Sequence, residues 1–249
     1  MMEYRELTQA RRVEKEHFYY LAKQYLIKKL LKKFCPRDLQ ILALGCGTGQ
    51  EAKILSQFGQ VTGLDGSQEA IRMCRQANLS AKGGDFQRLV LYEIKNKLPF
   101  KNNSFDLICA FDVLEHLQYD QLIIKEIRRV LKRGGLFFFT VPAYQFLYSS
   151  HDRALQHQRR YNKKHILKLL NNDFIVIKIS FFNALLFPLL AVYRLVKKLS
   201  QNTSQTDISL KIPPFINQLF LFILKKETDL ICRFSLPFGL TLVGLVKKK

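Results

Sequence analysis

A chain of 249 residues, 48% apolar and 24% charged, has the length and apolar content to bury a sizeable core, which excludes a disordered or fibrous protein. Forty Lys and Arg against twenty Asp and Glu leave a formal charge of +20, and residues 151–249 hold 17 of the bases against 5 acids, so most of the basicity is C-terminal. Such an excess draws a chain toward nucleic acid or an anionic membrane surface, or serves only as a soluble face, and it is silent on chemistry.

Five cysteines, at 35, 46, 74, 109 and 232, are odd in number and include no C-x-x-C pair or Cys/His ligand spacing. That excludes a disulfide framework and a cysteine-held zinc, so a reducing compartment and no metal are expected. The opening stretch MMEYRELTQARRVEKEHFYY mixes both signs of charge where a signal peptide needs an apolar core. A cytoplasmic protein is expected, with the inner face of a membrane as a further place of work.

In chain order, residues 5–33 read as one or two helices, with Leu21, Ile27, Leu30 and Leu31 among many Lys and Glu, broken by Cys35 and Pro36. LQILAL (39–44) reads as a strand, EAKILSQF (51–58) as a helix, QVTGLD (60–65) as a strand, and SQEAIRMCRQA (67–77) as a helix capped by Ser67. A short strand near SAKGGD precedes a variable piece from 86 to 104, and SFDLICAF (104–111) is the next clear strand. LEHLQYDQLIIKEIRRVLKRGG supplies a helix with a Gly-Gly stop, and the continuous apolar run LFFFTVP a strand buried on both faces. After Pro142 a polar stretch leads to a helix, NKKHILKLLNN, and a strand, FIVIKIS; LTLVGLVKK closes the chain as a strand. Strands separated by helices imply β-α-β units, a parallel sheet and a doubly wound core.

Residues 181–238, between the last two strands, hold two apolar runs around the polar loop SQNTSQTD (200–207). The first run contains Asn183 and Pro188 and is too short to span a bilayer. The second carries apolar residues at 216, 219, 220, 223 and 224, a helical stripe that Leu221 and Phe222 widen beyond one core contact.

ILALGCGTGQ (41–50) runs a buried strand into glycines at 45, 47 and 49. A strand ending in such a turn aims backbone N–H groups at one point and suits a ligand with phosphate, ribose or carboxylate groups. A dinucleotide turn needs glycine at position 50, where this chain has Gln50, so G-x-G-x-G fits ribose and carboxylate without a pyrophosphate. Asp65, twenty positions after Gly45 at the end of the second strand, reaches a ribose hydroxyl in either case.

LGCGTG, GLDGS, GGDF, LPFKNNSFDLICAFDVLEHL and EIRRVLKRGGLFFFTVP, in that order, resemble the class I S-adenosylmethionine-dependent methyltransferases, in the branch often called type 11. The resemblance covers roughly residues 15–180 and the last strand. It implies a Rossmann-like α/β fold: a doubly wound, mostly parallel seven-stranded sheet with an antiparallel last strand and a helical insert before it. The chain then divides into an N-terminal helical cover (1–36), a methyltransferase core (37–180 plus 239–249) and an apolar insert or lid (181–238). The implied cofactor is S-adenosyl-L-methionine, held by Gly45, Cys46, Gly47 and Gly49, by Asp65 and Gly66 at the ribose, by Asp85 and Phe86 at the adenine, and by Phe111 at the methyl side. Relatives carry an acid where this chain has Ala43, commonly on the methionine ammonium, so weaker cofactor binding is expected. A cofactor-binding module with little catalysis and a nicotinamide-type Rossmann oxidoreductase are the competing readings.

Methyl transfer from a sulfonium is mainly in-line positioning and exclusion of water, but a hydroxyl acceptor needs a base. DVLEH offers Asp112, Glu115 and His116, and SSHDRALQHQRRY adds His151, His157 and Tyr161. His116, Glu115 and His151 are the candidate catalytic residues, His116 first, because imidazole titrates near neutral pH. In relatives an Arg pair on the N-terminal helix folds over the cofactor; here Lys23 and Gln24 stand there, leaving Lys23 as the one clamp on the cofactor carboxylate. FDVLEH lacks the Pro-Pro-Tyr-type loop of enzymes that methylate a flipped base, which argues against nucleic acid. A small or lipid-linked acceptor methylated at oxygen is expected, with an anionic membrane surface or a second copy of the chain as partner through the insert.

Overall fold

The computed structural model describes residues 11–79, 86–94, 97–192 and 212–249, apart from the side chains of 77–79 and 86–87. Seven strands form one sheet: β1 (Leu39–Leu44), β2 (Gly59–Asp65), β3 (Phe86–Leu91), β4 (Phe105–Phe111), β5 (Leu131–Pro142), β6 (Phe174–Phe182) and β7 (Thr241–Lys248), in the order β3-β2-β1-β4-β5-β7-β6. The pairings from β3 to β5 are parallel, and β7 lies antiparallel between β5 and β6. The helices are α1 (Phe18–Phe34), α2 (Gln50–Leu55), α3 (Gln68–Leu79), α4 (Asp120–Val130), α5 (Ser150–Ala154), α6 (Lys163–Leu170) and α7 (Pro214–Arg233), with residues 11–16 and 187–192 also helical.

Alternation along the strands divides the core between the two faces of the sheet. Leu42, Ile108, Phe137 and Phe139 pack on one side against Ile123 and Ile127 of α4 and Ile166 of α6. Ile41, Ala43, Leu107, Cys109 and Phe138 pack on the other against Leu26, Ile27 and Leu30 of α1, Leu55 of α2, and Leu224 and Ile231 of α7. The central strands are buried on both faces, which is why they read as unbroken apolar runs.

The expected elements form, with four differences. β3 is FQRLVL rather than SAKGGD: its residues belong to the piece left variable, because this edge strand pairs with β2 alone and leaves Leu91 exposed, while residues 80–85 lie outside the described ones. α4 ends at Val130, and Gly134 and Gly135 sit inside β5, where Leu131 pairs with Phe105 before the register shifts; Gly134 (φ 73°) marks an irregularity in a strand rather than a helix stop. The first apolar run opens as the last two residues of β6, and the loop 200–207 lies outside the described residues. α7 presents most of the expected stripe to the core, with Phe220, Ile223 and Leu224 packed there beside Leu221 and Ile231, but Leu219 of that stripe is 52% exposed.

Two contacts tie α7 to the start of α1. The Phe18 amide donates to Asn217 Oδ1 (2.8 Å) and Asn217 Nδ2 donates to the Glu16 carbonyl (2.9 Å). α1 is thereby held over the C-terminal edge of the sheet, and Tyr19 and Thr241 bond through their hydroxyls (2.8 Å) beside β7.

Candidate active site

The strand order reverses between β1 and β4, so their C-terminal ends part and leave a crevice, the usual ligand position in an open parallel sheet. The glycine turn fills one wall. Gly45, Gly47 and Gly49 have φ of 66°, 50° and 84°, a region that side chains disfavour, and a Cβ on Gly45 would fall 2.6 Å from Val113 Cγ2. Asp65 closes the turn from β2: its Oδ2 accepts from the Gly47 amide (2.9 Å) and its Oδ1 from the Ser67 amide (2.9 Å). A carboxylate and a backbone cradle thus meet, the donor and acceptor set that a ribose bearing a charged tail requires.

The other residues expected at the cofactor fall around this point unevenly. Gly66 is exposed next to Asp65, and Phe111 ends β4 with its ring edge-on to Phe138 (5.0 Å). The Cys46 side chain packs in the helix-side core, so only its backbone faces the turn; its thiol is pushed up by Cys74 and by burial. Asp85 and the Phe86 side chain lie outside the described residues. Ala43 is buried between Gly63 and Cys109.

The N-terminal segment closes over the turn through charge. Lys23 of α1, 3% exposed, donates to Glu51 Oε1 and Asp112 Oδ2, each at 2.9 Å. Burial works against its charge, but these two carboxylates outweigh it and hold the ammonium well above its ordinary range. Asp112 follows β4 with φ 53° and is fixed further by Thr140 Oγ1 (2.9 Å); burial opposes its ionisation, and Lys23 outweighs this and lowers it. Glu14 accepts from the Thr48 hydroxyl within the turn itself. Glu51 and Asp112 thus meet on Lys23, and Glu14 on Thr48 of the turn.

Burial, and then Glu51, raise Glu14 from 4.5 to about 7. The folded chain keeps a proton there that the unfolded chain releases, so the contribution of Glu14 is complete below pH 4.5 and is lost as pH rises through about 7. Between pH 5 and 8, Glu14→Gln should therefore gain about 1–2 kcal/mol on the wild type, allowing for partial exposure. Urea melts of both proteins at the two pH values measure this, and a difference that does not change with pH would reject it.

Beyond Asp112 a single 3₁₀ turn, Leu114–His116, presents the expected bases. Glu115 is fully buried, and neither carboxylate oxygen has a hydrogen-bond partner. Burial, then Asp112, push its carboxyl well above the ordinary range. The His116 ring stands edge-on to His157 (4.8 Å); desolvation and then His157 lower it to about 4, so it is neutral at pH 7. His157 is brought here by the stretch after β5: its Nδ1 lies 3.0 Å from Asp152 Oδ1 and its Nε2 4.0 Å from Glu115 Oε1. Asp152 is itself fully buried and accepts from Arg160 Nε (2.8 Å) and the Ser149 amide (2.9 Å), which with His157 hold it ionised.

His151 is buried on α5, on the turn capped by Ser149 and Asp152. Tyr161 does not serve as a base: fully buried, it donates to the Leu114 carbonyl (3.0 Å) and meets Asp120 Oδ2 (3.1 Å), and burial drives its phenol far up. It pins the 3₁₀ turn in place. Sequence spacing pointed to these residues singly; the pairing of His157 with Glu115 and of Lys23 with Asp112 carries no local signal.

Residues 42–139 match a family described as a methyltransferase domain. An uncharacterized protein of Methanocaldococcus jannaschii is 28% identical over 188 residues, 68% of this chain and 70% of that one. A ubiquinone biosynthesis O-methyltransferase of Idiomarina loihiensis is 30% identical over 41% of each chain. A sterol 24-C-methyltransferase of Neurospora crassa is 31% identical over 49% of this chain and 30% of its own. The chain thus spans less than half the length of the two relatives with a named activity. Among solved structures, a Haloferax volcanii chain in complex with a methyltransferase activator superposes with a TM-score of 0.62 at 18% identity, covering 97% of this chain and 93% of that one. An N-methyltransferase of Bradyrhizobium japonicum with S-adenosyl-l-homocysteine gives 0.54 at 13% identity, covering 91% and 85%. The cyclase SpnF gives 0.59 at 19%, covering 90% and 80%. At these identities the superpositions speak for the fold alone.

Proposed function

The chain belongs to the class I S-adenosylmethionine-dependent methyltransferases, and from that premise we propose that it methylates a small or lipid-linked acceptor at oxygen, in the cytoplasm, at the inner face of a membrane. The observation that carries the cofactor reading is the Asp65 carboxylate on the Gly47 amide at 2.9 Å. When bound, S-adenosyl-L-methionine supplies a methyl group on an already activated sulfonium. Asp65 would hold the ribose hydroxyls, the glycine turn would admit the methionine part close to backbone, and Lys23, fixed by Glu51 and Asp112, would be the cation nearest its carboxylate. Asp112 or Glu51 takes the place of the acid absent at Ala43. His116, neutral at pH 7, and His157, oriented by Asp152, are the groups available to hold or take the acceptor's proton.

The acceptor class is read from the insert. α7 turns Phe215 (71% exposed), Leu219 and Phe222 outward, and the exposed Leu189 and Val192 belong to the preceding helical turn. Lys225 and Lys226 flank that face, and Lys29, Lys32, Lys33 and Arg233 line a hollow between α1 and α7. Among the described residues no helix is long and apolar enough to cross a membrane. An apolar strip edged with lysine suits shallow insertion into an anionic leaflet.

Two measurements test this reading. Radiolabel from the methyl donor should enter a lipid extract in preference to a soluble metabolite extract, and label in neither would leave a cofactor-binding module. The protein should sediment with anionic vesicles and not with neutral ones, and Phe215→Ser combined with Phe222→Ser should weaken this about tenfold or more. Absence from both pellets, with a dimer on gel filtration, would assign the strip to a second copy instead.

A further inference from the structure

At the C-terminal end of β4 and the stretch after β5, the side chains of Glu115, His116 and His157 converge. Asp152 is occupied as an acceptor by Arg160 Nε and the Ser149 amide, so its contact with His157 Nδ1 (3.0 Å) needs the ring to donate there. In the neutral ring that tautomer carries its lone pair on Nε2, which lies 4.0 Å from Glu115 Oε1. The His116 ring stands edge-on to His157 at 4.8 Å. Glu115 brings two oxygens, fully buried and without a partner, and the ligand atoms of Glu115, His116 and His157 all lie within 4.8 Å of one another.

With Glu115 ionised and the His157 ring neutral, lone pairs face one another across 4.0 Å with no hydrogen bond joining them, and a cation between them would satisfy both. We propose that Glu115, His116 and His157 bind a divalent cation of the borderline class, Zn²⁺ foremost. Two imidazoles and one carboxylate are the donor set that zinc takes when it keeps open positions for other ligands. The Asp152 carboxylate behind His157 is the kind of outer partner that orients a metal-binding imidazole. A contraction of the 4.8 Å spread would close the set, and His116 is the one exposed member of the three. Cysteine spacing could not reveal such a site, since its ligands lie in two segments about forty residues apart.

The open positions would take the oxygen of an acceptor such as a phenol or catechol, and with the cation bound it would be the metal that favours loss of that oxygen's proton, His116 and His157 then serving as ligands and not as bases. That clause rests on the methyltransferase reading; metal binding itself does not. The full-length protein, stripped with a chelator and dialysed, is titrated calorimetrically with ZnCl₂, and separately with S-adenosyl-l-homocysteine. The wild type should bind one Zn²⁺. Glu115→Gln and His116→Ala should each weaken it at least 100-fold, and Asp152→Asn, which touches no metal, about 10-fold or more. Far-UV circular dichroism and retained binding of S-adenosyl-l-homocysteine show that each variant is folded. His116→Ala, at an exposed position, keeps the test informative if the buried variants do not fold. No heat with Zn²⁺ in the wild type, or equal Zn²⁺ affinity in folded His116→Ala, overturns the site. S-adenosyl-l-homocysteine binding without Zn²⁺ binding leaves the methyltransferase reading standing, and the converse result removes that reading alone.

Discussion

Asp65→Ala should lower the affinity for S-adenosyl-l-homocysteine by about 100-fold or more, the largest effect expected of any single change at the site. The carboxylate has two oxygens at the mouth of the turn, and a ribose offers it two hydroxyls. Each charge-assisted hydrogen bond is worth about 1.5–3 kcal/mol, so losing both costs a few kcal/mol of binding. The variant also leaves the Gly47 and Ser67 amides without their acceptor, and water replaces it at this half-exposed edge. Calorimetry on the wild type, Asp65→Ala and Asp65→Glu measures the effect, with melting temperatures as the control for folding. An affinity within threefold of the wild type would mean that the turn does not hold an adenosyl ribose, and the cofactor assignment would go with it.

The second large effect is on stability, at the strand that completes the sheet. Gly244 of β7 faces Phe139 of β5 in register, and a Cβ at 244 would lie 2.2 Å from the tip of that ring. Phe139 is fully buried and stacked on Phe137 (5.0 Å), so the ring cannot swing aside. Gly244→Ala should destabilise by about 3 kcal/mol, the upper range for overpacking a well-filled core. For a chain of this size that is a fall in Tm of roughly 6–12 °C. Phe139→Leu with Gly244→Ala should be no less stable than Phe139→Leu alone, because the clash is then absent and the two changes are not additive. Additive losses would show that the glycine is needed for its backbone rather than for the space.

The elements legible in the sequence were those with a periodic or punctuated local signal. LQILAL, QVTGLD, SFDLICAF and the closing strand stand within a residue of where their apolar runs put them, because strands buried on both faces are mostly apolar, with only isolated polar residues such as Gln40, Thr62 and Asp106. β3 was missed for the opposite reason: at the edge of the sheet FQRLVL mixes polar and apolar residues, and its pairing with β2 is what makes it a strand. Two glycines after a helix read as a stop, yet the chain enters β5 at Leu131, where pairing with β4 captures it first.

The glycine turn and Asp65 were readable because both sit at strand ends, where the direction of the chain fixes what the residues face. The insert was readable as apolar but not as to its direction. Which side of α7 meets the core depends on how Asn217 anchors it to α1, and that anchor sends Phe215 and Phe222 to solvent.

The sequence by itself determined the order of strands and helices, the position of the turn and the acid opposite it, because local periodicity and a fixed spacing of twenty residues decide these. Only the tertiary structure decided what Lys23, Glu115, His116 and His157 do. Lys23 meets Asp112 from 89 positions away, and His157 meets Glu115 from a separate loop, through side-chain directions set by how helices pack on a sheet. Electrostatics and hydrogen bonding fall off over a few ångströms, so they act on neighbours in space, and a linear sequence does not record which those are.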